Sequence, residues 1–287
     1  FFGDIAQDTL AMIVNDLITV GALPISVAMH LAVGDSDWFK DEPRYQDLIK
    51  GWKYACNLAR CTWGGGETPT LRGVVIPGTV VLSGSALGII QLKKNLITGE
   101  CIQHGDAIIL IESSGIHANG LTLARRIADK LPEGYLTKLS DGRTYGETLL
   151  DPTCIYVPLI EDCQKRGVNI HYVVNITGHG WRKLMRATQP FKYVIEHLPK
   201  QLPIFDFIQK SGPVDDKEAY GNLNMGAGLA IYVSPNDVKV VWDLLEEYPS
   251  YRRFGAVLAG HIERSKQRSV VIKPKGITFK ADSMKLR

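Results

Sequence analysis

The sequence contains few cysteines and has no long hydrophobic run. Its 287 residues include five cysteines, and no two of them stand in a CxxC spacing. An odd number without metal-ligand spacing argues against a disulfide framework and a zinc knuckle, and it indicates a reducing, cytoplasmic setting. No apolar segment approaches the roughly 18 residues that a membrane-spanning helix needs, and no signal peptide is visible. We therefore expect no membrane partner.

The sequence also lacks a large excess of positive or negative charge. The net charge is +3, from 33 Lys and Arg against 30 Asp and Glu, and no block of basic residues supports nucleic-acid binding. A hydrophobic content of 45% is that of a globular chain able to bury a core. The length suits two domains of ordinary size. Because Phe1 already stands in a helix-like pattern, we expect the natural chain to begin earlier.

The order of segments predicts the fold class. Helical and strand-like segments alternate, and several neighbouring strands are joined by connections too short for parallel crossovers. We therefore predict an α+β chain of two sheet-and-helix domains, with an N-terminal domain at 1–94 and a C-terminal domain at 95–287. Residues 63–69 are predicted to form a glycine-rich loop. A helix is expected over 151–167, and the chain after Pro274 is expected to be loosely held.

Three glycine-rich turns each follow an apolar segment, at 64–66, 113–120 and 177–180. Glycines let backbone N–H groups point at an anion, and a helix that begins just after the turn adds its dipole. The second and third turns lead into predicted helices, as this mechanism requires. Taken singly, such turns more often only connect elements, since a short glycine motif is a weak signal.

Two acidic residues stand in unusual places. Asp16 lies near the end of a predicted buried helix, and Glu67 lies in a glycine-rich segment. Phosphoryl transfer needs Mg²⁺ held by one or two carboxylates together with substrate phosphates, which these two acids can supply if they converge. The alternative is that Asp16 caps or pairs locally and that Glu67 is solvated. The residues alone favour neither interpretation.

The histidines and basic residues near the second and third turns give further candidates. His117 lies in the second turn, where an imidazole can donate to a phosphate or act as acid or base near neutral pH. His179 lies in a comparable turn. Arg182, Lys183 and Arg186 follow it and form a small basic face, which we expect to be solvated.

The motifs resemble, in the same order, those of the phosphoribosylformylglycinamidine cyclo-ligase family, the aminoimidazole ribonucleotide synthetases of purine biosynthesis. The matching segments are 15–17 with 21–24, 64–68, 113–120, 151–153 with 155–157, 176–180 and 224–228. They cover nearly the whole chain to about Ile272. One such motif is modest evidence, whereas the ordered set is strong evidence.

The resemblance implies an ATP-dependent ligase that acts on a small nucleotide. It also implies a homodimer in which the N-terminal sheets of two subunits form a barrel, with ATP and Mg²⁺ near that interface. Asp16 and Glu67 would hold the metal and, with His117, serve catalysis. The implied ATP-binding residues are Asn15, Asp16, Gly65, Gly66, Glu67 and Thr68. The implied substrate-binding residues are Ser113, Ser114, Gly115, His117, Asn119, Gly120, Gly178 and Gly180.

Some features depart from the family pattern. The family's N-terminal glycine-rich segment and its Asp-Gly-Val-Gly-Thr-Lys strand are absent from this sequence. His179 replaces a glycine, and Ile116 replaces a proline. The alternatives are therefore another ATP-using member of the superfamily (a thiamine-monophosphate kinase, selenophosphate synthetase or hydrogenase-maturation enzyme) or an inactive nucleotide-binding paralogue. The Gly-Gly-Glu-Thr segment favours the cyclo-ligase, because several of those relatives carry Asp in place of Glu67.

Overall fold

The computed structural model describes residues 1–247 and 255–284, and it begins with a small sheet covered by two helices. The elements are α1 (Phe2–Ile18), β1 (Leu23–Val33), α2 (Glu42–Leu58), β2 (Thr62–Glu67) and β3 (Val80–Ile89). The sheet order is β2-β1-β3, with β2 parallel and β3 antiparallel to β1. Helices α1 and α2 pack together and on one face of this sheet.

Two glycines of β3 let α1 approach the sheet closely. A Cβ on Gly84 would lie 3.0 Å from Cδ1 of Ile13, and a Cβ on Gly88 would lie 3.2 Å from Cδ1 of Leu17. Gly21, with φ of +81°, then lets the chain turn from α1 into β1. The end of α1 is thereby held at the edge of the small sheet.

The other face of the small sheet is bare and carries exposed apolar side chains beside a polar pair, His30 and Ser83. Along β3 the exposed side chains alternate with those that face the helices, as the two-residue period of a strand requires. Val81, Leu87 and Ile89 of β3 are exposed, as is Ile25 of β1. No described helix covers this face within the chain.

The second sheet is larger and has helices on both faces. Its elements are β4 (Ala107–Glu112), α3 (Leu121–Ala128), α4 (Tyr145–Leu149), α5 (Val157–Lys165), β5 (Ile170–Asn175), β6 (Phe191–Ile195), α6 (Pro203–Ser211), α7 (Asp216–Asn222), β7 (Ala227–Val233), α8 (Val238–Glu247), β8 (Ala256–Arg264), β9 (Ser269–Ile272) and β10 (Ile277–Lys280). The strand order is β10-β9-β6-β8-β4-β7-β5. Ile109 and Ile111 of β4 join the core that contains α1, whereas Ile108 and Leu110 face a second core with α3 and α6.

The predicted α+β class with two sheet-and-helix units is confirmed. Neither sheet closes into a barrel within the described residues. None of the helices in the described ranges combines the length and hydrophobicity that crossing a bilayer requires.

Three local predictions are wrong. Residues 63–69 are mostly strand, since β2 pairs with β1 through its backbone and needs no side chains to do so. After Pro274, residues 277–280 form β10, which pairs with β9 and buries Ile277 and Phe279, while residues 285–287 lie outside the described residues. Helix α5 begins at Val157 because the preceding residues lie against α1, where Asp8 Oδ1 accepts a hydrogen bond from Thr153 N at 2.7 Å.

Candidate functional site

Asp16 lies in the last turn of α1, and its carboxylate meets the second sheet. Asn175, the last residue of β5, donates a hydrogen bond from Nδ2 to Asp16 Oδ1 at 2.8 Å. The two residues line a cleft of about 470 Å³ between α1, the segment 96–98, β5 and the 3-10 helix Gly180–Met185. The predicted acid therefore stands in a cleft formed by both halves of the chain, with one carboxylate oxygen held in place.

Lys183 extends from the 3-10 helix into the same cleft. The expectation that the basic face is solvated is wrong for this residue, whose side chain is only 8% exposed. Its Nζ donates a hydrogen bond to Thr177 Oγ1 at 2.7 Å. Burial lowers the pKa of Lys183 to about 8, the Asp16 carboxylate opposes this shift, and the Arg186 charge adds to it. Arg186 also lines the cleft but is exposed.

Asn15 connects the two halves of the chain. It is 1% exposed, and its Nδ2 donates to Cys154 O at 2.8 Å while its Oδ1 accepts from Tyr156 N at 3.0 Å. Both ends of the amide are therefore used by the backbone before α5. A role for Asn15 in ATP binding stays a prediction, and the contacts themselves are those of a docking residue.

The turn at 113–120 is built around Asn224, for which sequence reasoning assigned no role. Asn224 Oδ1 accepts from Ser113 Oγ at 3.0 Å, and Nδ2 donates to Gly115 O at 2.9 Å and to Ile116 O at 3.1 Å. The backbone carbonyl of Asn224 accepts from Trp181 Nε1 at 2.7 Å. One buried amide thus fixes the turn and joins it to the 3-10 helix. In the sequence, the only indication of this role is that Asn224 stands just before the glycine-rich segment 226–228.

His117 is buried beneath the turn and is neutral. Its φ of +58° is in the left-handed region, and its Nε2 accepts a hydrogen bond from Ser114 N at 3.2 Å. Burial lowers the pKa of His117 to about 3. A Cβ on Gly228 would lie 2.8 Å from Cε1 of the ring, so this glycine makes room for it. A catalytic role for His117 stays a prediction. With this pKa the imidazole is uncharged at neutral pH and cannot act there as a cationic acid.

The second and third turns adjoin each other. A Cβ on Gly178 would lie 3.3 Å from Asn119 Oδ1, which places the two turns side by side. Gly120 and Gly180 have φ of +81° and +52°, where side chains are rarely found. Ser114 points elsewhere, since its Oγ donates to Pro152 O at 2.6 Å beside a second cleft of about 340 Å³.

Glu67 is not among the residues that line the cleft of Asp16. It is exposed at the end of β2, level with His30 of β1. Gly65, Gly66 and Thr68 beside it are exposed as well. Convergence of Asp16 and Glu67 on one metal therefore stays a prediction.

The side chains of the described residues show whether this chain alone could bind Mg²⁺. Within residues 1–247 and 255–284, no group of three or more His, Cys, Asp or Glu side chains is placed to hold a metal ion. Mg²⁺ in nucleotide-using enzymes is commonly bound by one or two carboxylates plus substrate phosphates. Asp16, with its exposed carboxylate, fits a metal that arrives with a nucleotide and does not by itself make a metal site.

Comparison with known families identifies both halves of the chain. Residues 2–90 match the family model described as AIR synthase related protein, N-terminal domain. Residues 103–267 match the model described as AIR synthase related protein, C-terminal domain. The predicted division between residues 94 and 95 falls between the two matches and stays a prediction in its exact position.

Individual proteins are similar over most of the chain. The phosphoribosylformylglycinamidine cyclo-ligase of Methanocaldococcus jannaschii is 37% identical over 86% of this chain and 69% of its own length. That of Carboxydothermus hydrogenoformans is 33% identical over 94% of this chain and 77% of its own length. The crystal structure of hydrogenase maturation protein HypE in complex with ATP superposes with a TM-score of 0.68, covering 98% of this chain and 80% of that chain at 16% identity. At that identity the likeness shows a common fold only.

Proposed function

This chain belongs to the AIR synthase related protein family and within it to the phosphoribosylformylglycinamidine cyclo-ligases, and on that basis we propose that it uses ATP to close the imidazole ring of aminoimidazole ribonucleotide. The observation that carries the proposal is the identity of 37% and 33% to two cyclo-ligases over most of the chain. Kinase and hydrogenase-maturation alternatives share the fold at 19% identity or less, and are not favoured.

The reaction has two steps. The formyl oxygen of formylglycinamidine ribonucleotide attacks the γ-phosphorus, and the bond to ADP breaks. An amidine nitrogen then attacks the activated carbon, and the carbon–oxygen bond to phosphate breaks to release inorganic phosphate. Bound Mg²⁺ supplies neutralisation of the phosphate charges. Ring closure needs the two reacting groups held close together, which a cleft with fixed walls provides.

The described residues have distinct tasks in this proposal. Asp16 is oriented by Asn175 and would hold the metal that accompanies ATP. The turns at 113–120 and 177–180 bind the ribonucleotide with their backbone N–H groups. His117, neutral and bonded to Ser114 N, shapes the first of these turns. Glu67 and Thr68 complete the ATP site.

We further place the protein in a homodimer that uses the bare face of the small sheet. This face presents Val81, Leu87 and Ile89 on both sides of the His30–Ser83 hydrogen bond, and clustered exposed apolar residues mark association surfaces. Two such sheets joined face to face would form the barrel that the family resemblance implies. Glu67 lies on β2, an edge strand of the same sheet, and we propose that it approaches the partner subunit in the dimer. The free thiols of all five cysteines are in keeping with a reducing cytoplasm.

The dimer has a direct test by analytical ultracentrifugation. Leu87→Glu puts a charge on the bare face, where Leu87 is 66% exposed, and is expected to yield a monomer. Leu136→Glu is the matched control, because Leu136 is 73% exposed on the C-terminal half. Equal sedimentation of the two variants as dimers would exclude this face.

The activity is tested with the full-length protein, ATP, Mg²⁺ and formylglycinamidine ribonucleotide. We expect one ADP released per aminoimidazole ribonucleotide formed, and no ADP release with thiamine monophosphate or selenide. ATP binding without turnover on any of these compounds would overturn the ligase and support a nucleotide-binding paralogue.

A further inference from the structure

The cleft between α1 and β5 carries two positive side chains, those of Lys183 and Arg186, that form no ion pair with another described residue. Within the described part of the chain, no carboxylate oxygen lies within 4.0 Å of Lys183 Nζ or of the Arg186 guanidinium. Asp16 is close enough to act on the pKa of Lys183 but forms its hydrogen bond with Asn175 instead. The cleft thus holds an excess of positive charge.

Lys183 is an unusual residue to bury for structural reasons. A buried ammonium group is costly unless it is paired or fully hydrogen-bonded. The ammonium group of Lys183 has three N–H donors, and among the described residues it donates a hydrogen bond only to Thr177 Oγ1. Its side chain is 8% exposed and lines the cleft. A methionine would fill the same space without that cost, so the charge indicates a bound anion.

The neighbouring donor groups point to a phosphate as the anion. Arg186 lines the same cleft, and its charge lowers the pKa of both Lys183 and His179, which places the three groups together. Guanidinium and ammonium groups together match a phosphate, which presents several oxygens and up to two charges. Thr98 adds a hydroxyl group to the cleft walls, whereas the Thr19 hydroxyl already donates to Asp16 O. Because the Asp16 carboxylate in the cleft offsets one of the two positive charges, it is the convergence of several donors that favours a phosphate over a carboxylate.

We propose that Lys183 and Arg186 form a subsite for a terminal phosphate group in this cleft. The proposal rests on the proposed function, because both ATP and formylglycinamidine ribonucleotide carry such a group. Lys183 contacts the phosphate from the floor of the cleft, and Arg186 contacts it from the solvent side. Asp16 Oδ1 is already engaged by the hydrogen bond from Asn175 Nδ2.

The first experiment measures binding without catalysis. Calorimetric titration of the full-length protein with inorganic phosphate is expected to give a dissociation constant that rises about 10- to 100-fold in Lys183→Met, the range for losing a charged hydrogen bond. Arg186→Met is expected to raise it about 10-fold. Lys210→Met, on an exposed lysine of α6 outside the cleft, is the matched control and binds phosphate as the wild type does.

The second experiment identifies the source of the phosphate group. If it belongs to the ribonucleotide, Lys183→Met raises the KM for the ribonucleotide about 10-fold or more and leaves the KM for ATP unchanged. If it is the γ-phosphate, the KM for ATP rises and kcat falls. Unchanged phosphate binding in Lys183→Met and in Arg186→Met would overturn the subsite. Should Lys183→Met fail to fold, the phosphate affinity of Arg186→Met, a substitution of an exposed residue, decides the question.

Failure of the subsite and failure of the proposed function are distinguishable. If Lys183→Met closes the ring with normal KM values and binds phosphate as the wild type does, the proposed ligase activity stands and the proposed subsite is excluded. If phosphate binding depends on Lys183 but the wild type forms no aminoimidazole ribonucleotide, the proposed subsite stands and the proposed ligase activity is excluded.

Discussion

Asp16 and Asn175, which are 159 positions apart in the chain, are joined by a hydrogen bond of 2.8 Å from Nδ2 to Oδ1. The bond fixes a charged group of the first helix at the end of a strand in the second sheet. It turns an exposed carboxylate into an oriented one, and orientation is what a metal–nucleotide site needs.

The first prediction concerns this pair. Asp16→Asn keeps the shape of the side chain and removes its charge, so kcat/KM for ring closure is expected to fall by about 100-fold or more. Asn175→Ala keeps the charge and frees its orientation, with an expected loss of about 10-fold. Thr9→Ala, elsewhere on α1, serves as control. Steady-state ADP release measures all three, and equal rates in Asn175→Ala and wild type would contradict the role of Asn175.

The second prediction separates docking from nucleotide binding at Asn15. Asn15→Ala removes two buried hydrogen bonds, to Cys154 O and from Tyr156 N, so the free energy of unfolding is expected to fall by about 2 to 4 kcal/mol. Urea denaturation measures this change. Gln7→Ala is a control on the same helix, since it removes one bond, to Thr153 O. A stability loss no larger than that of Gln7→Ala would argue against docking.

The third prediction concerns pH and His117. The pKa of His117 is about 3 in the folded chain against 6.5 for a free imidazole, so between these values the unfolded chain binds the extra proton. Stability therefore falls as the pH is lowered through this window, by up to about 1.4 kcal/mol per pH unit. His117→Asn, which tolerates the positive φ, should lack this component. Denaturation at pH 7, 6 and 5 gives both slopes, and parallel slopes would refute the prediction.

The fourth prediction tests the space beneath His117. In Gly228→Ala the new Cβ would lie 2.0 Å from Tyr156 Oη and 2.8 Å from His117 Cε1, so stability should fall by about 1 to 3 kcal/mol. Gly221→Ala is the matched control, because its nearest contact is at 3.5 Å. Thermal unfolding compares the two variants. Equal melting temperatures would mean that the ring and hydroxyl move aside without cost.

Sequence reasoning succeeded where the evidence is local. The buried helix predicted to end near Asp16 is observed as α1, because hydrophobic periodicity reports which side of an element is buried. It failed at β2, where the glycines suggested a loop. A strand held by backbone pairing with β1 leaves no pattern in its side chains.

The sequence by itself determined the family, the α+β class and the candidates Asp16, Glu67 and His117, because motif order and periodicity are properties of the chain read in one dimension. Only the tertiary structure decided that Asp16 is held by Asn175, that Asn15 docks the two halves, and that Lys183 is buried. Those facts depend on how α1 and the second sheet pack. Hydrogen-bond partners more than a hundred positions apart are chosen by that packing, and no local pattern records them.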